Sequence, residues 1–431
     1  MKKSTFLFVA SVLLMFAEAR SQGEKLIVIE NADSLVARVV DGQSARELIG
    51  NVRFSQERVR ISCERAVQFQ ETGNVQLLGN VVVVDDSLTM TFPRGMYFRE
   101  ERRAVAYDTV HLDDRSMTLS AHFGEYLIGP RKAFFRSKVV ANDKESKLIA
   151  DSLTYYRDDE RTIALGKVEI QSYADNLTIR GGHFESFKKQ DYSRMTGFPV
   201  LVKYDTTASS GKIDTLIVRS RVMEAYRGEA DKRLIATDSV EILRSDMASI
   251  AGVAIFHTQD DSILLRRSPV IWYERTQVSG DSINVYLRRN KLDRVFVFGS
   301  SLAISRSDSL FPQKFDQITG EEMILHFGEN GMERMDVNTR AISVYHVYED
   351  SLANGLNKTS GDRIVMLWEE GKLSSIKVFG GVEGAYIPEN LVQGREREYA
   401  VTGFVWREDR PVRRESDFTF TVPKRQDIKR N

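Results

Sequence analysis

Four pairs of adjacent aspartates are the residues whose type and spacing most readily suggest chemistry. They are Asp85-Asp86, Asp113-Asp114, Asp158-Asp159 and Asp260-Asp261. Paired carboxylates can divide the roles of general acid and general base, and carboxylate oxygens are ligands for calcium. However, each pair lies in a short polar stretch, and neither an EF-hand loop nor a nonapeptide calcium repeat surrounds it. We therefore predict that these pairs are turn residues.

The sequence offers few other reactive groups. Cys63 is the single cysteine, which excludes a disulfide framework, and a lone cysteine in a strand is typically a small core residue. The histidines lack a His-Glu-x-x-His spacing and are scattered at positions His111, His122, His183, His257, His326 and His346. The sequence has neither a Gly-x-Ser-x-Gly elbow nor a phosphate-binding glycine loop. We predict a protein that is not an enzyme and that uses neither a metal nor a cofactor.

The elements that would position these residues are strands, because apolar and polar residues alternate along most of the chain. The predicted strands have about ten residues each and are rich in β-branched and aromatic side chains. They include Ser87–Phe98, Lys147–Tyr156, Asn176–Phe187, Thr276–Leu287 and Gln317–Phe327. Short polar turns separate the strands, so neighbouring strands should pair antiparallel. We expect almost no helix.

A valine that follows a small or polar residue recurs at a constant interval. Val52, Val81, Val110, Val139 and Val168 are each 29 residues apart. Two strands and two turns fill such a unit, and a unit that cannot bury its own apolar face stacks on its neighbours. Beyond Val168 the interval lengthens, and we predict inserted loops at polar stretches such as 205–212 and 350–361. The chain should form one long array with an extended surface.

A second mark, in which an acidic residue follows a small one, interrupts alternate strands. At Ala150-Asp151-Ser152-Leu153 the apolar alternation changes parity, and similar changes occur near Gly280, Gly320 and Gly361. A slip of one residue is typical of a β-bulge or corner. We therefore predict that these strands bend at the mark and keep apolar side chains on the inner face of both halves.

The charge balance excludes one class of partner, and the composition of the two end segments distinguishes them from the β array. The 61 basic and 61 acidic side chains cancel, which excludes a nucleic-acid binder. Lys2 and Lys3, an apolar run and Ala17-Glu18-Ala19 are typical of a secretory signal peptide that is cleaved near Ala19. We divide the chain into a signal peptide (1–19), a β domain (20–190), a continuation of the β array with longer loops (191–406) and a charged, disordered tail (407–431).

The two marks together resemble the OstA-like family, which includes the periplasmic lipopolysaccharide transport protein LptA and the amino-terminal domain of the outer-membrane protein LptD. The resemblance is clearest from Leu26 to Phe187. It is carried by Gly50-Asn51-Val52, Gly79-Asn80-Val81, Gly166-Lys167-Val168 and Ala150-Asp151-Ser152. It implies an all-β fold, namely an elongated, bent antiparallel jelly roll with a partly open apolar trough. The chain is longer than LptA and lacks the aromatic-ended strands of an LptD-like barrel.

What the resemblance implies for function is a non-enzymatic periplasmic protein that shields the acyl chains of lipopolysaccharide during outer-membrane assembly. The implied partners are lipopolysaccharide, LptC-like and LptD-like proteins joined by edge-strand addition, and further copies of the chain joined end to end. The side chains expected to face the trough are Leu88, Met90, Phe92, Met96, Phe98, Met117, Leu119, Leu148, Leu153, Tyr155, Leu177 and Ile179.

Two other functions are compatible with the repeat. A parallel β-helix, which carries many secreted polysaccharide-active enzymes, is also built from coils of about 20 to 30 residues, although its strands are shorter. A purely structural adaptor would bind other β proteins through its edges and hold no lipid. Alternation does not separate an apolar groove from a filled core, so the sequence leaves the carrier and the adaptor open.

Overall fold

The computed structural model describes residues 27–205, 214–228, 231–257, 259–289, 291–307, 311–349 and 352–417. The predicted signal peptide, most of the predicted loop at 205–212 and residues 418–431 lie outside the described residues. Within these ranges, the helical segments are α1 (Glu389–Val392) and the 3-10 turns Lys188–Gln190, Glu396–Tyr399 and Glu415–Asp417. The helices of the described ranges are too short to cross a membrane. The expectation of an all-β fold is confirmed.

Twelve strands cover the first part of the chain, and most of them have ten or more residues. They are β1 (Val28–Asn31), β2 (Ser34–Val40), β3 (Gln43–Gln56), β4 (Val59–Phe69), β5 (Val75–Asp85), β6 (Leu88–Phe98), β7 (Arg103–Asp113), β8 (Thr118–Leu127), β9 (Lys132–Asn142), β10 (Ser146–Tyr156), β11 (Arg161–Ser172) and β12 (Leu177–Phe187). From β3 to β12 each strand pairs with the next strand in sequence, while β1 and β2 lie end to end along one edge of β3.

Shorter strands follow in the middle of the chain. They are β13 (Tyr192–Thr196), β14 (Val200–Asp205), β15 (Asp214–Arg219), β16 (Val222–Gly228), β17 (Asp231–Leu243), β18 (Ala248–His257), β19 (Ser262–Arg266), β20 (Val270–Tyr273), β21 (Thr276–Ser279) and β22 (Ser282–Arg288). Four long strands come next, β23 (Lys291–Arg306), β24 (Phe315–Gly328), β25 (Gly331–Glu349) and β26 (Leu352–Glu369), and the shorter strands β27 (Lys372–Phe379) and β28 (Glu383–Pro388) follow them. The polar stretch 350–361, predicted as a loop, therefore lies largely in β26.

The array consists of two rows of short strands that are joined by long strands. Row A contains β13, β16, β19 and β22, and row B contains β14, β15, β20 and β21. A long strand contributes one half to each row. In β12, His183–Phe187 pairs with β13 of row A and Leu177–Arg180 pairs with β14 of row B. Strands β18 and β26 divide in the same way. Every pairing between described strands is antiparallel, so the alternative prediction of a parallel β-helix is wrong.

A corner lies where each long strand passes from one row to the other. The register of β10 against β11 shifts between Ile149 and Ser152, at the predicted mark. On the opposing strand, Gly166 (φ 76°) and Lys167 (φ 44°) both adopt the left-handed conformation. Two such residues form a bulge that bends the strand and changes which side chains face inward. The predicted corner is confirmed.

An acidic side chain lies against the glycine at several of these corners. At Gly79, Asn80 Nδ2 donates a hydrogen bond of 2.6 Å to Glu64 Oε1. A Cβ atom on Gly79 would lie 2.3 Å from Glu64 Oε2 and 2.8 Å from Glu64 Cβ. The same close approach joins Asp33 to Gly50, Asp151 to Gly166, Asp281 to Gly299 and Asp362 to Gly380. The acidic residue of the second mark thus packs on the glycine of the neighbouring strand.

Gly79→Ala is expected to lower the free energy of unfolding by about 1–2 kcal/mol, because an L-residue is strained at the φ of +74° found here. Equilibrium unfolding in urea, followed by circular dichroism, measures the change. Gly129→Ala is the matched control, since Gly129 has a negative φ and no atom within 4 Å of the added Cβ. Equal effects of the two substitutions would contradict this account of the corner.

The core lies between the inner faces of the two rows. One continuous cluster of buried apolar side chains runs from Leu48 to Met366. Tyrosines at the interval of 29 residues cross between the rows: Tyr97 donates a hydrogen bond to Gln56, and Tyr126 donates one of 2.6 Å to Asp85. The next in the series, Tyr155, lies 3.5 Å from Asp114. The repeat therefore sets polar contacts between the rows as well as strand spacing.

A segment without strands folds back over the outer face of row B. This segment, residues 389–417, is called the strap. Val392 and Val401 of the strap are buried against Ile304, Val344 and Leu356. The expectation of a disordered tail is therefore corrected for residues 407–417, which lie on the array. Local charge suggested a tail, whereas partners far away in the sequence hold the segment in place.

Candidate apolar binding site

Ten of the twelve predicted trough residues lie in a part of the interior that protein side chains fill. Six of the twelve are at most 9 % exposed and belong to the core: Leu88, Met90, Phe92, Leu119, Leu148 and Leu153. Met117, Tyr155 and Ile179 are partly buried against that core, and Leu177 is also partly buried. The structure thus brings most of the set together between the rows, in a region with little access to solvent.

Two members of the predicted set, Met96 and Phe98, are corrected to the outer face. In β6, the even-numbered residues are buried before the corner, whereas Gly95 and Tyr97 are buried after it. The register of β6 against β7 shifts between Thr91 and Arg94, which reverses the parity. The ring of Phe98 instead lies 4.1 Å from the guanidinium of Arg103.

The predicted turn carboxylates include two that are buried at strand ends. Asp85 is fully buried and Asp114 is 9 % exposed. Arg157 joins them, because its Nη2 donates to Ser87 Oγ (2.8 Å) and Ser87 Oγ donates to Asp114 Oδ1 (2.6 Å). Burial, and then the Asp114 charge, raises the pKa of Tyr155 to about 12. These groups form a structural network, since each buried charge has a partner.

The other reactive group that the sequence singles out, the Cys63 thiol, is buried. Burial raises the pKa of the Cys63 thiol to about 11, and this thiol donates a hydrogen bond to the carbonyl of Arg65 (3.3 Å). The thiol is therefore protonated at neutral pH and is a poor nucleophile. Among the described residues, no three His, Cys, Asp or Glu side chains lie close enough together to hold a metal ion.

An opening with a mixed apolar and polar lining lies between the rows near the carboxy-terminal end of the array. This opening, called the mouth, has a volume of about 510 Å³. Its row B wall contains Tyr273, Thr276, Ala303, Ser305, Ile318 and Tyr345, and its opposite wall contains Met332, Met335, Met366, Trp368 and Leu373. The opposite wall comes from β25, β26 and the start of β27, whose turns face the β20–β21 turn of row B.

The floor of the mouth is apolar and its rim is charged. Met335 and Met366 are nearly buried, whereas Met332 and Trp368 are partly exposed. The ring of Tyr273 packs edge-on against Phe327 at 4.9 Å, which closes the gap between the rows on one side. Burial raises the pKa of the Tyr273 hydroxyl above its ordinary value. The rim carries Glu274, Arg275, Arg306 and Asp316. Such a site fits an amphiphile with an apolar body and a charged head.

Sequence reasoning placed the groove in the first half of the chain and missed the mouth. The mouth lies in the half where the repeat interval lengthens. The available signal was the concentration of Met332, Met335, Met366 and Trp368 on facing strands, since methionine is frequent at adaptable binding surfaces. That signal becomes visible only once the pairing of β25 with β26 is known.

Comparisons with known proteins identify a family for part of the chain. Residues 24–128 match the family model described as OstA-like protein. Among solved structures, LptH from Pseudomonas aeruginosa, titled the LptA homologous periplasmic component of the lipopolysaccharide transport device, is similar at 12 % identity and a TM-score of 0.26. That alignment covers 33 % of this chain and 95 % of LptH. The curated proteins contain no match. The match to the OstA-like model over residues 24–128 agrees with the resemblance predicted from the sequence.

Proposed function

We propose that this chain is a non-enzymatic protein of lipopolysaccharide transport, and that it holds lipid acyl chains in the mouth. The observation that carries the proposal is a mouth with one apolar wall and a charged rim, in an array whose first part matches an OstA-like model. Its volume of about 510 Å³ is typical of small-molecule sites. Each methylene transferred from water into such a site contributes about 0.8 kcal/mol.

The rim suits the head of the same ligand. Arg275 and Arg306 lie at the opening, next to Tyr273 and Thr276 of the row B wall. Guanidinium groups form paired, charge-assisted hydrogen bonds with phosphate. A phosphorylated lipid would therefore place its chains on the methionine floor and its phosphate among the arginines.

The ten predicted residues that face the interior, from Leu88 to Ile179, form a second proposed position for lipid. A chain could enter there only if the two rows separated, because Leu88, Met90 and Leu153 are at most 1 % exposed. Separation would expose a large apolar area at a cost of about 25 cal/mol per Å². We therefore place the first ligand position at the mouth.

The partners that we propose bind at the two ends of the array. At one end, β2 exposes Leu35 and Val39, and at the other end, β27 exposes Ile376 and Phe379. Unpaired edge strands with apolar side chains are templates for strand addition. LptC-like or LptD-like proteins, or further copies of this chain, would extend the array there. This arrangement, with export through the predicted signal peptide, would place the protein in the periplasm during outer-membrane assembly.

A structural adaptor that holds no lipid is the second candidate. The closed interior of the first half and the exposed edges at both ends favour it. The two candidates differ only in what occupies the mouth.

Photo-crosslinking in cells separates the two candidates. A photoreactive amino acid in place of Met332 or Trp368 is expected to label lipopolysaccharide, because both side chains line the open part of the mouth. The matched control is the same substitution at Phe198, an aromatic side chain that is 72 % exposed and lies away from the mouth. Labelling of protein alone from all three positions would reject the carrier and favour the adaptor.

A further inference from the structure

Side chains of the array form hydrogen bonds with the backbone of the strap and hold the strap in place. Gln277 Nε2 donates to the carbonyl of Val405 (2.8 Å), and the amide of Arg407 donates to Gln277 Oε1 (2.8 Å). The amide of Val401 donates to Gln317 Oε1 (3.0 Å). Both glutamines are buried, at 2 % and 6 % exposure. Buried amides that are paired in this way fix the position of the strap, since breaking them would leave polar groups unsatisfied.

The strap also holds residues that form the mouth. Arg410 Nη1 donates to the carbonyl of Glu274 (2.7 Å), in the β20–β21 turn. Arg306 Nη2 donates to Glu408 Oε1 (3.2 Å), and the Arg306 guanidinium lies 5.4 Å from the ring of Trp406. These contacts fall on the row B wall. The strap therefore sets where this wall stands relative to the methionines on the opposite side.

A separate anchor fixes the far end of the strap. Arg219, which is 6 % exposed, donates through Nε to Asp417 Oδ1 (3.1 Å) and through Nη1 to Glu241 Oε2 (2.5 Å). Arg414 Nη2 also donates to Glu241 (3.0 Å). Neither Arg219 nor Glu241 lines the mouth. The contacts at the mouth can therefore be removed while the strap stays attached.

We propose that the strap determines which amphiphiles the mouth accepts, by fixing the width between its two walls. The inference rests on the proposed function for the nature of the ligand, and on the strap contacts for the mechanism. With the strap seated, Glu274 and Arg306 are held and the mouth is narrow. When those contacts are lost, the β20–β21 turn and the end of β23 move outward, and the mouth admits a bulkier apolar body.

The test compares a one-chain probe with a two-chain probe on the full chain. Dodecyl phosphate and didodecyl phosphate share a head and differ in width. In Glu408→Arg, which repels Arg306, and in Arg410→Ala, we expect the affinity for didodecyl phosphate to rise about fivefold relative to dodecyl phosphate, as the loss of one hydrogen bond would allow. Arg410→Lys retains a donor and should restore the original ratio. Val412→Ala is the strap control, because that side chain is 66 % exposed.

Hydrogen exchange provides a readout that needs no ligand. Amides in residues 273–276 and 305–307 should exchange faster in Glu408→Arg and Arg410→Ala than in Val412→Ala. Combining Glu408→Arg with Arg306→Glu restores the ion pair and should restore the slower exchange. Unchanged exchange, or faster exchange with an unchanged ratio of affinities, would overturn the inference. If neither probe binds the unaltered chain, the proposed function fails, and exchange at the row B wall still decides whether the strap holds it.

Discussion

Asp85→Ala is expected to lower the free energy of unfolding by about 3 kcal/mol, because the substitution leaves buried charge and hydroxyl groups without their partner. The Asp85 carboxylate is fully buried. It accepts a hydrogen bond from Tyr126 (2.6 Å), and Arg58 Nε lies 2.8 Å from its Oδ1. Arg157, which also donates to the Asp85 carbonyl (2.9 Å), is 11 % exposed at its side chain. Thermal and urea unfolding of the variant measure the loss.

The neighbouring residue provides the control for that experiment. Asp86 belongs to the same aspartate pair, but its side chain is 52 % exposed and its ion pair with Arg131 (3.1 Å) is at the surface. Asp86→Ala should therefore cost less than about 1 kcal/mol. If the two substitutions destabilise the protein equally, the network between the rows is not what makes Asp85 important.

Phe135→Ala is expected to destabilise the protein by about 3–5 kcal/mol, the usual cost of removing a buried aromatic side chain. Phe135 is fully buried on β9, and its ring packs over Gly124 of β8, where a Cβ atom would lie 3.1 Å from the ring. The absence of a side chain at Gly124 makes room for the ring. In Phe135→Ala, the backbone amides of β8 and β9 should also exchange their hydrogens faster than in the unaltered protein. Phe198→Ala, at a site that is 72 % exposed, should change the stability by less than about 0.5 kcal/mol.

The regular part of the fold was predictable from the sequence because its signals are local. Alternation and the interval of 29 residues locate β6, β10 and β12 to within about one residue, and the acid after a small residue locates the corner near Asp151. A corner depends on a bulge within a few residues, so its residue types are visible in a short window. The parity error at Met96 arose because the corner inside β6 carries Pro93-Arg94 instead of the usual mark.

The remaining features depend on contacts between distant residues. Polar residues such as Asn354 and Lys358 hide the alternation of β26, which is specified by pairing with the equally long β25. The strap carries many charges, and the partners that hold it, such as Gln277 and Gln317, lie more than eighty residues earlier in the sequence. The mouth is the space between two walls, and the order of apolar residues along a strand does not determine the distance between those walls.

The way the strap is attached has a consequence for how the protein matures. Strands pair mainly with close neighbours in sequence, so the array can grow progressively as the chain emerges, whereas Asp417 meets Arg219 across 198 positions. The outer side of Ile304 and Val344 consequently stays exposed to solvent until residues 389–417 have been synthesised and have folded back over it. A chain that lacks these residues would keep an uncovered apolar patch on row B.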